Sequence, residues 1–363
     1  MFPEKKKYNA TWILVAAVLL IEIFKLFPAA VEYLYTNGFY KYYSQLLRKA
    51  FGWFPFSIGD LLYTIAIIVA LYKSIKAVIK IIRARFSWQV TKNSLLAGLR
   101  ILLAVYLLFN ISWAINYARK GSAHQLEIYV DDYSVNDLQT LASVLNKKTT
   151  EAVAEIQAKD STVWYHFPAL ANACRESYIE VNKKYPFINY RVLSVKPMIY
   201  GKAGAFGGFA GYYNPFTGEA QINNGMPGNS RSQVLCHEMA HQLGYAAEEE
   251  ANMIGWLAGR ESKNPAIKYS AYNDMLVYTI MDLRRKDTLA FKTFRDSLPG
   301  LVKKHYQQNK DYYAAYTNSM QAHLDAAYDT FLKANGQEKG KKSYRFVIAW
   351  LIAYGKKYGW EAL

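Results

Sequence analysis

Two histidines and a glutamate in this chain stand at a spacing that can bind and use a metal ion. Residues 231–252 read RSQVLCHEMAHQLGYAAEEEAN and contain His237-Glu238-x-x-His241. On an α-helix, positions i and i+4 stack one above the other, because a turn takes about 3.6 residues. Both imidazoles therefore reach one ion from the same helical face. Glu238, next to the first histidine, is placed to take a proton from a water activated by that ion. An HExxH string alone occurs by chance, so its setting decides. Val234, Leu235 and Cys236 precede it, Met239, Ala240, Gln242 and Leu243 fill the gaps, and no proline interrupts it. Polar groups buried in an apolar helix are costly unless paired or ligated. Ser230 or Ser232 is the expected cap at its start, and Gly244 the expected left-handed stop.

A catalytic zinc ion takes three protein ligands and keeps a fourth position for water. The third ligand is sought in Glu248-Glu249-Glu250-Ala251-Asn252. On a second helix starting near 248, Glu248 and Asn252 share a face. Glu248 then completes the ligand set, and Asn252 hydrogen-bonds the far nitrogen of a histidine ring. Glu249 is the alternative ligand and Glu250 a third; the bland reading of all three is a solvated acidic helix start. The short link from His241 to Glu248 needs a sharp turn, which Gly244 permits. Ala247 stands where the metzincin pattern HExxHxxGxxH has its third histidine, which excludes that ligand set. Oxyanion stabilisation needs one more donor, for which Tyr269, Tyr272 or His305 are the candidates. His124, His166 and His323 read as surface or satisfied core histidines.

These residues resemble a gluzincin, HExxH followed by a glutamate on a second helix. The Glu248–Asn252 pattern is similar to that of the HtpX and CaaX-prenyl-protease group of membrane metallopeptidases, with Asn252 in place of that group's aspartate. Over most of its length the chain resembles an uncharacterised family of bacterial integral-membrane proteins. These combine N-terminal spans with a zincin-like half carrying HExxHxLGxxxExEAN and an upstream GYYNPFTGEAQ. The resemblance implies a metallopeptidase fold and no particular substrate.

Upstream of the metal helix, residues 201–224 are glycine-rich and read as a mobile loop. Within them Ala210–Tyr213 and Glu219–Asn223 form a hairpin around Asn214-Pro215-Phe216-Thr217-Gly218, a run of turn residues. Gly211, Tyr212 and Tyr213 are the candidate edge strand to which an extended peptide could add. Tyr190–Tyr200 is rich in β-formers and Pro197 marks it as an edge strand. Helical periodicity runs through Asn136–Lys159, Pro168–Lys184, Asn264–Ser297, Leu298–Ala334 and Ser343–Trp360.

The elements that carry this half begin in a membrane. The 363 residues are 52% hydrophobic, yet mean hydropathy is only -0.09, because the apolar runs concentrate before residue 116. Thr11–Phe27, Ile58–Ile82 and Leu95–Trp113 are each long enough to cross a bilayer. The aromatic stretch 32–56 reads as an amphipathic segment lying on the bilayer. Lysines at 5–7 and the basic stretch 73–92 are assigned to the cytoplasm, which sends the second half to the far side. In a bacterium that is the periplasmic side of the inner membrane. The net charge of +16 raises nucleic acid as a partner, but no helix-turn-helix, finger or RNA-binding signature accompanies it. Two cysteines, Cys174 and Cys236, make no disulfide framework and pair only if this half is exported.

The expected architecture is an anchor region, 1–116, of about three transmembrane helices. A mostly α, α+β zincin-like domain follows at 117–363, with a small sheet or hairpin beside the metal helix. The expected function is a membrane-anchored zinc metallopeptidase acting on a peptide or protein. The alternative is a catalytically inactive zincin-fold binding or scaffold protein at the membrane.

Overall fold

The computed structural model describes residues 2–129, 132–159, 166–337 and 346–363. The expected helix start at Ser343 lies outside them, as do the side chains of the lysines at 5–7. The chain opens with helices α1 (Phe2–Lys25), α2 (Pro28–Ala30) and, after a π-helical stretch Val31–Tyr40, α3 (Lys41–Phe51). Helices α4 (Ile58–Arg83) and α5 (Trp88–Ser112) follow. By length and composition α5 can cross a membrane. A second candidate is the pair Asn9–Lys25 and Pro28–Phe51, bent by 95°. Pro28 opens the second arm and cannot continue a helix from α1. Lys25 pairs with Glu22 at 2.8 Å, the i,i+3 contact that the sequence suggests.

The aromatic stretch does more than lie on a surface. Its inner face packs on the half that carries His237 and His241: Tyr40 Oη donates to the His241 carbonyl at 3.3 Å and Ser44 Oγ to the Gln242 carbonyl at 3.0 Å. Arg48, only 2% exposed, donates to the Val192 carbonyl at 3.1 Å. The reason is the helical spacing of 40, 44 and 48, which puts all three on one face.

The second half contains α6 (Gly121–Gln125), α7 (Val135–Lys159), α8 (Phe167–Lys184), β1 (Val195–Pro197), α9 (Gly201–Phe206), β2 (Gly211–Asn214) and β3 (Glu219–Ile222). Then come α10 (Gly228–Gln242), α11 (Glu248–Arg260), α12 (Pro265–Lys286), α13 (Thr288–Ser297), α14 (Gly300–Tyr316), α15 (Gln321–Ala334) and α16 (Phe346–Tyr358). The half is mostly helical with one small sheet. Strand order is β1-β3-β2, with β1 parallel and β2 antiparallel to β3. The core is built from Leu138, Leu141 and Leu145 of α7, Tyr178 of α8, Leu235 and Met239 of α10, Ile254 and Trp256 of α11, and Met275 of α12.

Several sequence expectations change here. The strand expected over 190–200 shrinks to Val195–Pro197, because its partner β3 spans only Glu219–Ile222. The glycine-rich stretch is partly ordered as α9. The long pattern after Asn264 breaks at Asp287, whose side chain caps α13 by accepting from the Ala290 N–H. The pattern after Leu298 breaks at 317–320. Neither Ser230 nor Ser232 caps α10: the helix starts earlier, after Pro227, without a side-chain cap.

One buried carboxylate joins the sheet to α4. Glu219 is fully buried and accepts from the amides of Ile58 at 3.1 Å and Gly59 at 2.6 Å, and from Thr217 Oγ1 at 3.0 Å. A carboxylate at a helix N-terminus satisfies orphan N–H groups and the positive end of the helix dipole. Asp60, one turn in, accepts from the Ile199 amide at 2.6 Å and from the Tyr212 hydroxyl. Glu219→Ala strands these amides in a buried site and should lower stability by about 2 to 3 kcal/mol. Thermal unfolding of the purified chain in detergent checks this; an unchanged midpoint contradicts it.

Candidate metal centre

The site forms where α10 and α11 cross. Gly244, at φ +86, ends the first helix and reverses the chain, as its lack of a side chain allows. Gly255 of α11 lets the two backbones touch: a Cβ there would lie 2.9 Å from the His237 amide nitrogen. This close approach carries Glu248 and Asn252 over the histidines. His237, Glu238, His241, Glu248 and Asn252 are all under 10% exposed.

Ligand atoms of His237, Glu238 and His241 lie within 4.8 Å of one another, a group that could hold a metal ion. Glu248 Oε2 approaches His237 Nε2 at 3.2 Å and His241 Nε2 at 3.9 Å. Tetrahedral ligands at zinc bond lengths stand about 3.3 Å apart, so these three atoms can share one ion after small adjustments. The other ring nitrogens are occupied. His237 Nδ1 lies 2.8 Å from Asn252 Oδ1, and His241 Nδ1 2.7 Å from the Tyr245 carbonyl. Both partners are acceptors, so Nδ1 carries the proton in each ring and Nε2 presents its lone pair to the centre. Oε2 of Glu248 and Oε2 of Glu238 are buried without a well-formed hydrogen bond. These orphaned acceptors between two imidazoles fit a cation.

With protons in place of a metal, the four groups titrate as one cluster. Burial works against the charge on His237, but the Glu248 hydrogen bond and charge overcome it and raise its pKa to about 9. Burial likewise opposes ionisation of Glu248, yet the histidines hold it at about 2. Burial, with the His237 charge, lowers His241 to about 4. Burial raises Glu238 to about 8, partly offset by His237.

A cleft of about 850 Å³ opens beside these residues. Gly211, Tyr212 and Tyr213 line it, and β2 is the outer strand of the sheet. A Cβ on Gly211 would stand 2.8 Å from Glu238 Oε1, so only glycine lets the strand and this carboxylate approach. The candidate edge strand is therefore next to the candidate base. Glu248, not its neighbours, faces the centre. Glu250 points the other way and accepts from the Ser122 amide at 3.0 Å. Glu249 is not among the residues that line the cleft.

The three candidate oxyanion donors are not brought to the cleft. Tyr269 Oη pairs with His305 Nδ1 at 2.7 Å and Tyr272 Oη donates to the Leu363 carbonyl at 3.4 Å; none lines the cavity. Helix α12 turns Tyr269 and Tyr272 into the core and residues 273, 274, 277, 278 and 281 toward the cleft, while His305 is buried on α14. His124, His166 and His323 are exposed. Cys174 and Cys236 are free and buried. Reading the sequence missed Tyr328, whose hydroxyl donates to Glu248 Oε1 at 2.8 Å, and Trp113, whose ring stands edge-on 5.6 Å from His241. It also missed Asp274, which burial raises to about 7 against the opposing His237 charge. No local spacing marks any of them.

Glu248→Ala should abolish tight metal binding, whereas Glu249→Ala should leave it unchanged. Asn252→Ala should weaken affinity by about 10- to 100-fold through the lost hydrogen bond to His237. Chelator competition measures all three; equal losses for Glu248 and Glu249 would overturn the ligand assignment.

A search of the curated proteins and a search of the solved structures each returned no match. The family DUF3810, described as a protein of unknown function, matches residues 35–352. That span takes in α4, α5, the sheet, the crossing of α10 and α11 and the cleft, and on it the chain belongs to the DUF3810 family.

Proposed function

We propose that this chain is a membrane-anchored zinc metallopeptidase of zincin-like fold that hydrolyses peptide bonds. The observation that carries this reading is the convergence of two Nε2 atoms and Glu248 Oε2, with Glu238 held between that centre and the outer strand β2. Two neutral imidazoles and one carboxylate are a donor set suited to zinc. When bound there, zinc supplies Lewis acidity, lowering the pKa of a water toward about 7 and polarising a scissile carbonyl.

The remaining chemistry belongs to the protein. Asn252 and the Tyr245 carbonyl fix the tautomers and orientations of the two histidines. Tyr328 holds Glu248 by its outer oxygen. Glu238 accepts the proton of the attacking water and returns it to the leaving nitrogen. An extended substrate pairs its backbone with β2, beside Glu238. Hydroxyls that line the cleft, Tyr117 and Tyr278 among them, replace Tyr269, Tyr272 and His305 as candidate oxyanion donors.

The anchor reading is supported by α4 as well as by the two span candidates. Helix α4 is 26 residues long and exposes Leu61, Ile65, Ile68, Leu71, Ile75 and Ile82, an apolar surface suited to lipid. Counting α4 gives three spans. Arg48 lies in the first connection but is buried against the second half, which removes it from the count of free topogenic charges. The basic stretch 73–92 then assigns the loop between α4 and α5 to the cytoplasm and the cleft to the periplasmic side of an inner membrane.

Glu238→Gln should retain zinc and lose about 100-fold or more of the hydrolysis rate on a peptide library. An undiminished rate contradicts the mechanism. Zinc retention with no hydrolysis by the native sequence favours a non-catalytic binding protein.

A further inference from the structure

Resting on the peptidase reading above, we propose that Asp274 is a specificity residue that binds a cationic nitrogen of the substrate, an ammonium or guanidinium group. Asp274 lies on the face of α12 that lines the cleft, with Tyr278 one turn further on. Across from it, α14 contributes Tyr313. All three residues line the same cleft. Burial first, and then the Asp274 charge, push the Tyr278 hydroxyl well up; the same two causes, in the same order, raise Tyr313 to about 12.

Among the described residues the Asp274 side chain makes no hydrogen bond and no ion pair, although it is partly buried. A carboxylate in a confined apolar setting is unfavourable until a cation joins it. Aromatic walls add to the attraction, since a cation over a tyrosine face is stabilised by the ring quadrupole. The cleft as a whole has the matching sign. With a divalent ion balancing Glu238 and Glu248, the lining still carries the carboxylates of Asp274 and Asp325 against one ammonium, Lys310, which forms no ion pair with Asp274. An acidic cleft in a chain of net charge +16 runs against the overall balance, and it attracts cations locally.

The cationic nitrogen has two sources in a peptide, a lysine or arginine side chain or the free N-terminus. The test separates them. The full chain carrying Glu238→Gln is loaded with zinc in detergent and titrated calorimetrically with four peptides. These are a heptapeptide with one central lysine and its norleucine counterpart, each with a free and an acetylated N-terminus. At least one cationic form should bind about tenfold or more tightly than the acetylated norleucine peptide. Asp274→Asn should erase that preference and Asp274→Glu should keep it. Preference following lysine assigns the side chain; preference following the free amine assigns the N-terminus. Equal affinity for all four peptides, or a preference that survives Asp274→Asn, overturns the inference. Cation-selective binding without hydrolysis by the native sequence would sink the peptidase reading and leave this one standing. Hydrolysis at equal rates for all four peptides, with equal binding, would do the reverse.

Discussion

Four ionisable side chains are buried together at the crossing of α10 and α11, and they are tolerable only as a set. His237, Glu238, His241 and Glu248 are each 9% exposed or less. Isolated, any one would shed its charge or cost several kcal/mol. Together, the histidines hold Glu248 ionised and Glu248 holds His237 protonated, as one cluster. A divalent cation serves the same purpose better, since it engages both imidazoles and the carboxylate at once. The surroundings follow from this need. Gly255 brings the helices into backbone contact, Gly244 reverses the chain in time for Glu248, and Asn252, Tyr245 and Tyr328 occupy the outward-facing atoms of the ligands.

The N-terminal helices are part of this arrangement rather than a tether for it. Tyr40 reaches the carbonyl of His241, Trp113 stands against its ring, and Tyr213 of the outer strand bonds Tyr40 at 3.0 Å. Glu219 and Asp60 lock the start of α4 to the sheet. The cleft is consequently walled on one side by Tyr63 of α4 and by Phe109 and Trp113 around the end of α5.

What could be read from the sequence was what local periodicity determines. HExxH, the i,i+4 relation of Glu248 to Asn252 and the demand for a turn at Gly244 all depend on one helical repeat or one backbone preference, and the geometry follows them. The hairpin at 211–222 was legible from its turn residues for the same reason. Partners supplied across the fold were not. Tyr328 lies 80 positions from the Glu248 it holds and is one of 31 tyrosines. Tyr269 and Asp274 share a helix, but five residues amount to well over a full turn, and packing alone decided which face entered the cleft. Helical periodicity at 40, 44 and 48 was visible in principle. A membrane surface offers an equally good home for that face, and its contact with His241 is set by packing that no local repeat encodes.

A zinc site made by two histidines and one glutamate is the proposal from which the mechanism follows. X-ray absorption at the zinc edge, on the full chain purified without chelators, tests it most directly. The expected result is about one zinc per chain with nitrogen and oxygen neighbours at about 2.0 to 2.2 Å and no sulfur, and in His237→Ala either no bound zinc or one imidazole neighbour fewer. A sulfur neighbour from Cys236, or zinc whose coordination is untouched by His237→Ala, would contradict it.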